Sequence, residues 1–378
     1  MRLPRHLFSR LLPSLALAVA AFAVSPPAVA QEGNAPAPVT LTQAQVEQVM
    51  GRAVDDVIRP GYRTFHGAAQ ALTKAMATYC AAPSASTEDA AHAAFDEVVR
   101  TWSMIEIVRI GPVLSQNRFE RILFYPDRKS TGLKQVQALL AKPDEADTEA
   151  PALKGKSVAM QGLGALEFVL YGSGAKEALS EKESFRCRYG AAVASNIESI
   201  AAELVAEWEK PGGIQDAWKH PGPDNPEFRD GKEAMTALLG ILVHGAETVR
   251  DQRIETFYKG KDQPVRPKSA IYWRSGNTWK SIDANIAGLQ TLFTKSGMEQ
   301  LLDPGVASIA GSIEFVMKSL TRIGPNIDPD IENAVGDENQ RAKIDFLLVN
   351  TRDLIVRLND EYGAAIGMGA GFSFSDGD

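Results

Sequence analysis

The chain has little of what most enzyme chemistry is built from. Its 378 residues include two cysteines and five histidines. No HExxH run puts two imidazoles and a carboxylate base on one helix face, so a zincin-type peptidase has no support. There is no GxSxG elbow, no phosphate-binding P-loop and no dinucleotide fingerprint. Strand-like alternation is scarce, and beyond residue 30 no apolar run is long and uninterrupted enough to span a bilayer. No CxxC spacing suggests redox work.

What is present begins with an export signal. Arg2, Arg5 and Arg10 precede the apolar stretch Leu11 to Val24, and Ala28-Val29-Ala30 forms a small-x-small site. Residues 1–30 therefore read as a cleavable signal peptide, with the mature chain starting at Gln31 in the periplasm. No cysteine near that site is available to take a lipid. Removing the three arginines leaves 37 basic against 47 acidic side chains, a net charge of −10. That balance argues against a nucleic-acid partner. In an oxidising compartment Cys80 and Cys187 have one intramolecular pairing open to them, a structural disulfide closing a loop of about a hundred residues.

Apolar residues recur at three- and four-residue steps nearly everywhere, which predicts an all-α fold. After a Pro/Ala-rich leader at 31–40, helices are expected over 41–58 and 62–80, kinked or split at Pro60-Gly61. The next is capped near Ser86-Thr87 and runs through Trp102, Ile105 and Val108 to a stop at Gly111-Pro112. Residues 131–141, 156–171 and 184–209 follow. Residues 211–226 change to Pro, Gly, Asp and His and mark a connection. Long helices then resume over 228–258, 275–294, 304–323 and 338–363. The pattern suggests two helical bundles, 41–210 and 227–378.

Three constellations could carry chemistry. Glu106 and Arg109 stand at i and i+3 among Trp102, Ile105 and Val108, near enough to pair on one helix face. The run Gln161 to Gly172, QGLGALEFVLYG, puts Gly162, Gly164 and Glu167 into an otherwise apolar helix. Interior helix glycines each cost about 0.5–1 kcal/mol against alanine, so two of them need a reason. Close approach of a neighbouring helix is one reason, and room for a ligand beside Glu167 is the other. Arg109 is an obvious candidate partner for that carboxylate. His244 and Glu247 in LVHGAETVRDQR share the i, i+3 spacing and could face one metal, or could simply form a helix-surface pair. The other mature histidines are His66, His92 and His220.

Several of these segments resemble the imelysin-like family of bacterial envelope proteins. QGLGALEFVLYG is similar to the GxHxxE signature of that family, in which the His and Glu are the proposed metal ligands. The Trp102 to Pro112 pattern W-x-x-x-E-x-x-R-x-G-P looks like its first long helix. The Tyr62 to Cys80 helix, the Arg274-Ser275 junction and the tail Gly367 to Asp378 extend the likeness over most of the mature chain. The resemblance implies two helical bundles, an extracytoplasmic location, a site in the groove between them, and a link to iron uptake or to peptidase activity. Matched residue by residue, Gly162 is the motif Gly and Glu167 the motif Glu, while Gly164 stands where the His belongs.

A groove of Glu106, Arg109, Gly162, Gly164, Glu167, Arg274 and Ser275 is therefore the expected ligand site, with Glu167, His244 and Glu247 as the candidate metal ligands. No cofactor is fixed by these residues; a divalent metal or iron is the one implied. Without an imidazole, Glu167 is an oxygen-only ligand, adequate for a hard cation only if other groups such as Glu106 complete the shell. If an arginine neutralises it instead, the pocket suits a small polar or anionic ligand, helped by Arg121 or Arg274. The leading expectation is a periplasmic, non-catalytic binding or accessory protein in iron or metal acquisition, acting on a small ligand, a metal or an envelope iron-uptake partner. The alternatives are a metal-dependent envelope peptidase and a helical adaptor whose groove takes a partner helix.

Overall fold

The computed structural model describes residues 38–371, so the expected signal peptide, most of the leader and the last residues of the tail lie outside the described residues. Among the described residues the secondary structure is helical, with no strand. The principal helices are α1 (Gln43–Arg52), α2 (Arg59–Ala81), α3 (Ala85–Ile105), α4 (Arg118–Ile122), α5 (Thr131–Ala141), α6 (Leu163–Tyr171), α7 (Phe185–Glu209), α8 (Gly231–Glu247), α9 (Thr278–Lys295), α10 (Ser308–Ile323) and α11 (Glu338–Val356). Among the described residues, none is long and apolar enough to cross a membrane.

Local chemistry sets the helix starts. Thr42 and Gln45 form a reciprocal capping box for α1, and Ser84 with Thr87 does the same for α3. The α3 cap is thus two residues earlier than Ser86. Ser184, Asp230 and Asp337 cap α7, α8 and α11 through their side chains.

Pro60-Gly61 neither kinks nor splits the chain into separate helices. The backbone instead passes through a π-turn at Ala53–Ile58, where the Arg59 N–H reaches back to the Val54 carbonyl, and Pro60 falls in the first turn of α2. Two further π-turns, Thr248–Ile254 and Arg357–Gly363, continue α8 and α11, which is why those stretches read as single long helices.

One continuous core runs through both halves of the sequence. Helix α2 packs on α3 and α7, and α3 also packs on α9 from the second half. Gly288 permits that last approach, because a Cβ there would sit 2.2 Å from the Met104 carbonyl oxygen. Ser103 and Ser281 hydroxyls bond across it at 2.8 Å, and Asn285 donates to the Ser103 carbonyl at 2.7 Å. The 211–226 connection is itself packed. It carries a short helix, Ile214–Lys219, whose Trp218 lies edge-on between Trp208 and Phe228.

Cys80 and Cys187 are bonded, joining the end of α2 to the start of α7 across 107 residues of sequence. A loop of that length is worth on the order of 4 kcal/mol in the chain-entropy model.

Asp283 on α9 is a half-buried carboxyl with an unmet oxygen. Its Oδ1 is buried without a partner against the Gly324 backbone, where an added Cβ would lie 2.1 Å away. Burial pushes its carboxyl up to about 7. The native state then keeps a proton that the unfolded chain releases near pH 4, so stability falls as pH rises from about 4 to about 7. Asp283→Asn should flatten that slope and stabilise the protein at pH 8 by about 2 kcal/mol. Urea midpoints across pH 4–8 check this; an unchanged slope would show that Asp283 ionises freely.

Candidate functional site

Helix α6 is the centre of the site, and its two glycines do different jobs. Gly162 is not interior: it is the extended N-cap residue, with φ −122° and ψ −164°. A Cβ there would come within 2.3 Å of the Ile122 carbonyl oxygen, so glycine is needed for the α4 backbone to pass. Gly164 is exposed and an added Cβ would meet nothing within 4 Å. Close packing explains the first glycine and open space the second. The helix costs argued for interior positions therefore apply to neither in full, since both lie at the first turn.

Side chains from elsewhere hold α6 at both ends. Arg121 donates to Gln161 Oε1 at 2.9 Å and to Asn196 Oδ1 at 3.0 Å, while Asn196 donates to the Gln161 carbonyl. This network engages Arg121 Nε and Nη2 and leaves Nη1 buried without a partner, and Arg121 lines neither of the two larger cavities. At the other end Arg186 donates to the carbonyls of Val169, Phe168 and Ser173, satisfying the last turn as basic residues at helix C-termini do.

Glu167 is 4% exposed, and its partner is a turn of backbone. Its Oε1 accepts from the Arg274 N–H at 3.1 Å, the Ser275 N–H at 3.0 Å and the Ser275 hydroxyl at 3.0 Å. Oε2 lies 4.0 Å from Arg274 Nη1. Burial raises the carboxyl above its ordinary range, and the Ser275 N–H, the Arg274 charge and the Ser275 hydroxyl oppose that rise. The turn is tight: Tyr272 adopts φ +52° and Gly276 φ +72° just before α9 begins. Arg274 itself lies over Trp273 at 4.3 Å and Phe168 at 5.4 Å.

Beside Glu167 opens a cavity of about 500 Å³ whose walls include Gly164, Tyr125, Tyr272 and Arg274. Phe168, Trp273 and Arg274 also line a second cavity, of about 640 Å³, next to Tyr171 and Pro329. Elements from both halves of the sequence build each of them.

Glu106 and Arg109 do not pair with each other. Helix α3 ends at Ile105, so Glu106 is its C-cap and Arg109 lies beyond it. An i, i+3 pair cannot form because the helix does not continue. Glu106 instead receives Arg253 Nη2 at 2.9 Å and Asn285 Nδ2 at 2.7 Å, and both charged side chains are almost fully buried. Arg109 pairs with Glu120 at 3.1 Å and stacks over Phe119, far in bonding terms from Glu167. Glu106, Arg253 and Asn285 border a cavity of about 40 Å³, together with Arg109 and His244. Glu106 Oε2, Arg253 Nε and Nη1 and Asn285 Oδ1 are buried there without protein partners.

His244 and Glu247 bond to each other, Nδ1 to Oε2 at 2.9 Å, and His244 Nε2 lies 3.2 Å from the Ala370 carbonyl oxygen of the returning tail. They stand apart from the Glu167 cavity. Among the described residues, no group of three His, Cys, Asp or Glu side chains is placed to hold one metal ion.

The cavity beside Glu167 brings Glu167, Gly164 and Arg274 together with Tyr125, Tyr272 and Trp273, Ser275 lines the second cavity, and Arg253 and Asn285 belong to the separate small cavity beside Glu106. Arg253 was legible in principle. It shares an i, i+4, i+8 stripe with Val249 and Phe257, and an arginine on an apolar stripe calls for a buried partner.

An all-α protein of helices packed around cavities shared by both halves of its sequence is the class this architecture defines. Residues 58–358 match the family model described as Imelysin, and the chain belongs to that family. Among solved structures it is similar to an imelysin-like protein from Psychrobacter arcticum, at 18% identity and a TM-score of 0.72 over 89% of this chain and 99% of that one. It is also similar to a putative iron-regulated protein A precursor from Parabacteroides distasonis, at 16% identity and a TM-score of 0.72 over 88% of this chain and 98% of that one. At such identities the likeness is one of fold. No curated protein sequence matches.

Glu167→Ala should leave three donors of the Arg274-Ser275 turn without their acceptor and cost about 2–4 kcal/mol. Glu167→Gln keeps an acceptor oxygen and should cost less than about 1.5 kcal/mol. Urea unfolding of the two variants reads the difference, and equal losses would mean the turn does not depend on that oxygen.

Proposed function

We propose that this is an exported periplasmic protein of the imelysin family that binds rather than cleaves. It serves iron or other metal acquisition through the cavity beside Glu167, between the halves 41–210 and 227–378. Support for export comes from the leader sequence, and support for an iron link from the family and from the similar protein named as iron-regulated.

The observation that carries the non-catalytic reading is the donor set. Glu167 Oε1 is already engaged by three hydrogen bonds, and position 164 offers open space in place of an imidazole. These residues do not fit a protein-held metal ion: one partly committed carboxylate supplies neither the ligand number nor the nitrogen that a catalytic metal needs. A peptidase mechanism would also need a base and an activated water that this set does not provide.

Gly164→His restores a nitrogen one turn before Glu167, in a place where nothing obstructs it. Calorimetric titration with Zn²⁺ should show at least tenfold tighter binding to that variant than to the natural chain. Comparable binding by both would mean that a metal centre persists without the histidine. In parallel, the natural protein should show no chelator-sensitive cleavage of a denatured protein substrate. Cleavage that disappears in Glu167→Gln would establish the peptidase reading instead.

A further inference from the structure

We infer that the cavity beside Glu167 takes a small organic polyanion, a molecule carrying two or more carboxylate or phosphate groups. This rests on the reading of that cavity as the binding site and names its ligand class.

Charge on the cavity walls is unevenly compensated. Every carboxylate there is already committed within the protein. Asp127 accepts from the N–H groups of Thr131 at 2.7 Å and Leu133 at 3.2 Å, and so organises the start of α5. Asp251 is held by Arg250, Glu255 by Arg352 at 2.7 Å, and Glu167 by the Arg274-Ser275 turn. The cations are not balanced in the same way. Arg274 faces Glu167 and Lys268 reaches Glu332 at 3.4 Å, but the side chains of Arg128, Lys259 and Arg266 have no partner among the described residues.

Three uncompensated positive charges around one concavity run against the character of a chain whose formal net charge is −7. Isolated surface lysines and arginines are commonplace, but three of them converging on one cavity, where Asp127 is the one lining carboxylate without a cationic partner among the described residues, create a local positive field. That field repels a bare cation and attracts an anion. The floor adds a polar contact that is not yet used: Tyr272 is 3% exposed and its hydroxyl is buried without a partner. A hydroxyl donor and guanidinium groups suit carboxylate or phosphate oxygens. The volume, about 500 Å³, is in the range of small-molecule sites, and Gly164 leaves part of the wall bare. A metal ion could therefore enter this cavity as an anionic chelate, its charge carried by the ligand.

The test is isothermal titration of the mature, metal-free protein at low ionic strength with citrate, with pyrophosphate and with neutral trehalose. Citrate or pyrophosphate should bind, more weakly as salt is added, and trehalose should not; which anion binds decides between carboxylate and phosphate chemistry. The triple variant Arg128→Gln, Lys259→Gln, Arg266→Gln should lose at least tenfold in affinity. Tyr272→Phe should lose several-fold, while a control with the same kind of charge change elsewhere, Lys182→Gln with Lys232→Gln, stays within twofold. Circular dichroism melts verify that each variant folds. Failure of both anions to bind overturns the inference, and so does an equal loss in the triple variant and the control. The Zn²⁺ titration of Gly164→His is read independently, so a failed anion result leaves the non-catalytic reading standing, and a failed zinc result leaves the anion site standing.

Discussion

The hydrogen bonds from the Arg274-Ser275 turn to Glu167 are the constraint on which the rest of the site depends. A carboxylate almost fully buried on an apolar helix is tolerable only if its charge is met, and here backbone and hydroxyl donors meet it. Because those donors belong to the second half of the sequence and the acid to the first, the same bonds fix α6 against the start of α9. They also hold Tyr272 in its left-handed conformation and set Arg274 between the aromatic rings of Trp273 and Phe168. The cavities on either side of Arg274 are what that placement leaves open.

A second joint lies deeper. Glu106 ends α3, Arg253 sits in the π-turn that extends α8, and Asn285 projects from α9, so one buried ion pair ties three elements together. Such pairs rarely add net stability over an apolar replacement, but removing one partner leaves a costly bare charge. Gly288 and the paired serines then let α3 and α9 approach closely enough for Asn285 to reach both Ser103 and Glu106.

Much of this was legible in the sequence. Helical periodicity located every principal helix except the five-residue α4, and the 131–141 boundaries agree with α5 at both ends. The family was legible because its signature segments are strings of adjacent residues. What the residues alone could not supply was pairing. Glu106 and Arg109 look like partners only if α3 runs on to Gly111, and it stops at Ile105, so the real partner lies 147 positions away. Arg109, the obvious candidate for Glu167, is taken by Glu120. The glycines mislead for a related reason: Gly162 and Gly164 are alike in sequence, but one is pressed on the Ile122 carbonyl and the other faces empty space. Neither distinction has a local signal, since both are set by what a distant segment brings alongside.

The central claim is that Glu167 acts as a latch between the halves of the chain and not as an inherited metal ligand. A double-mutant cycle of Glu167→Ala and Ser275→Ala, measured by urea unfolding with and without a chelator, tests it most directly. The account predicts a coupling energy of about 1 kcal/mol or more that the chelator does not change. A coupling near zero, together with a chelator-dependent loss of stability in the natural protein, would contradict it.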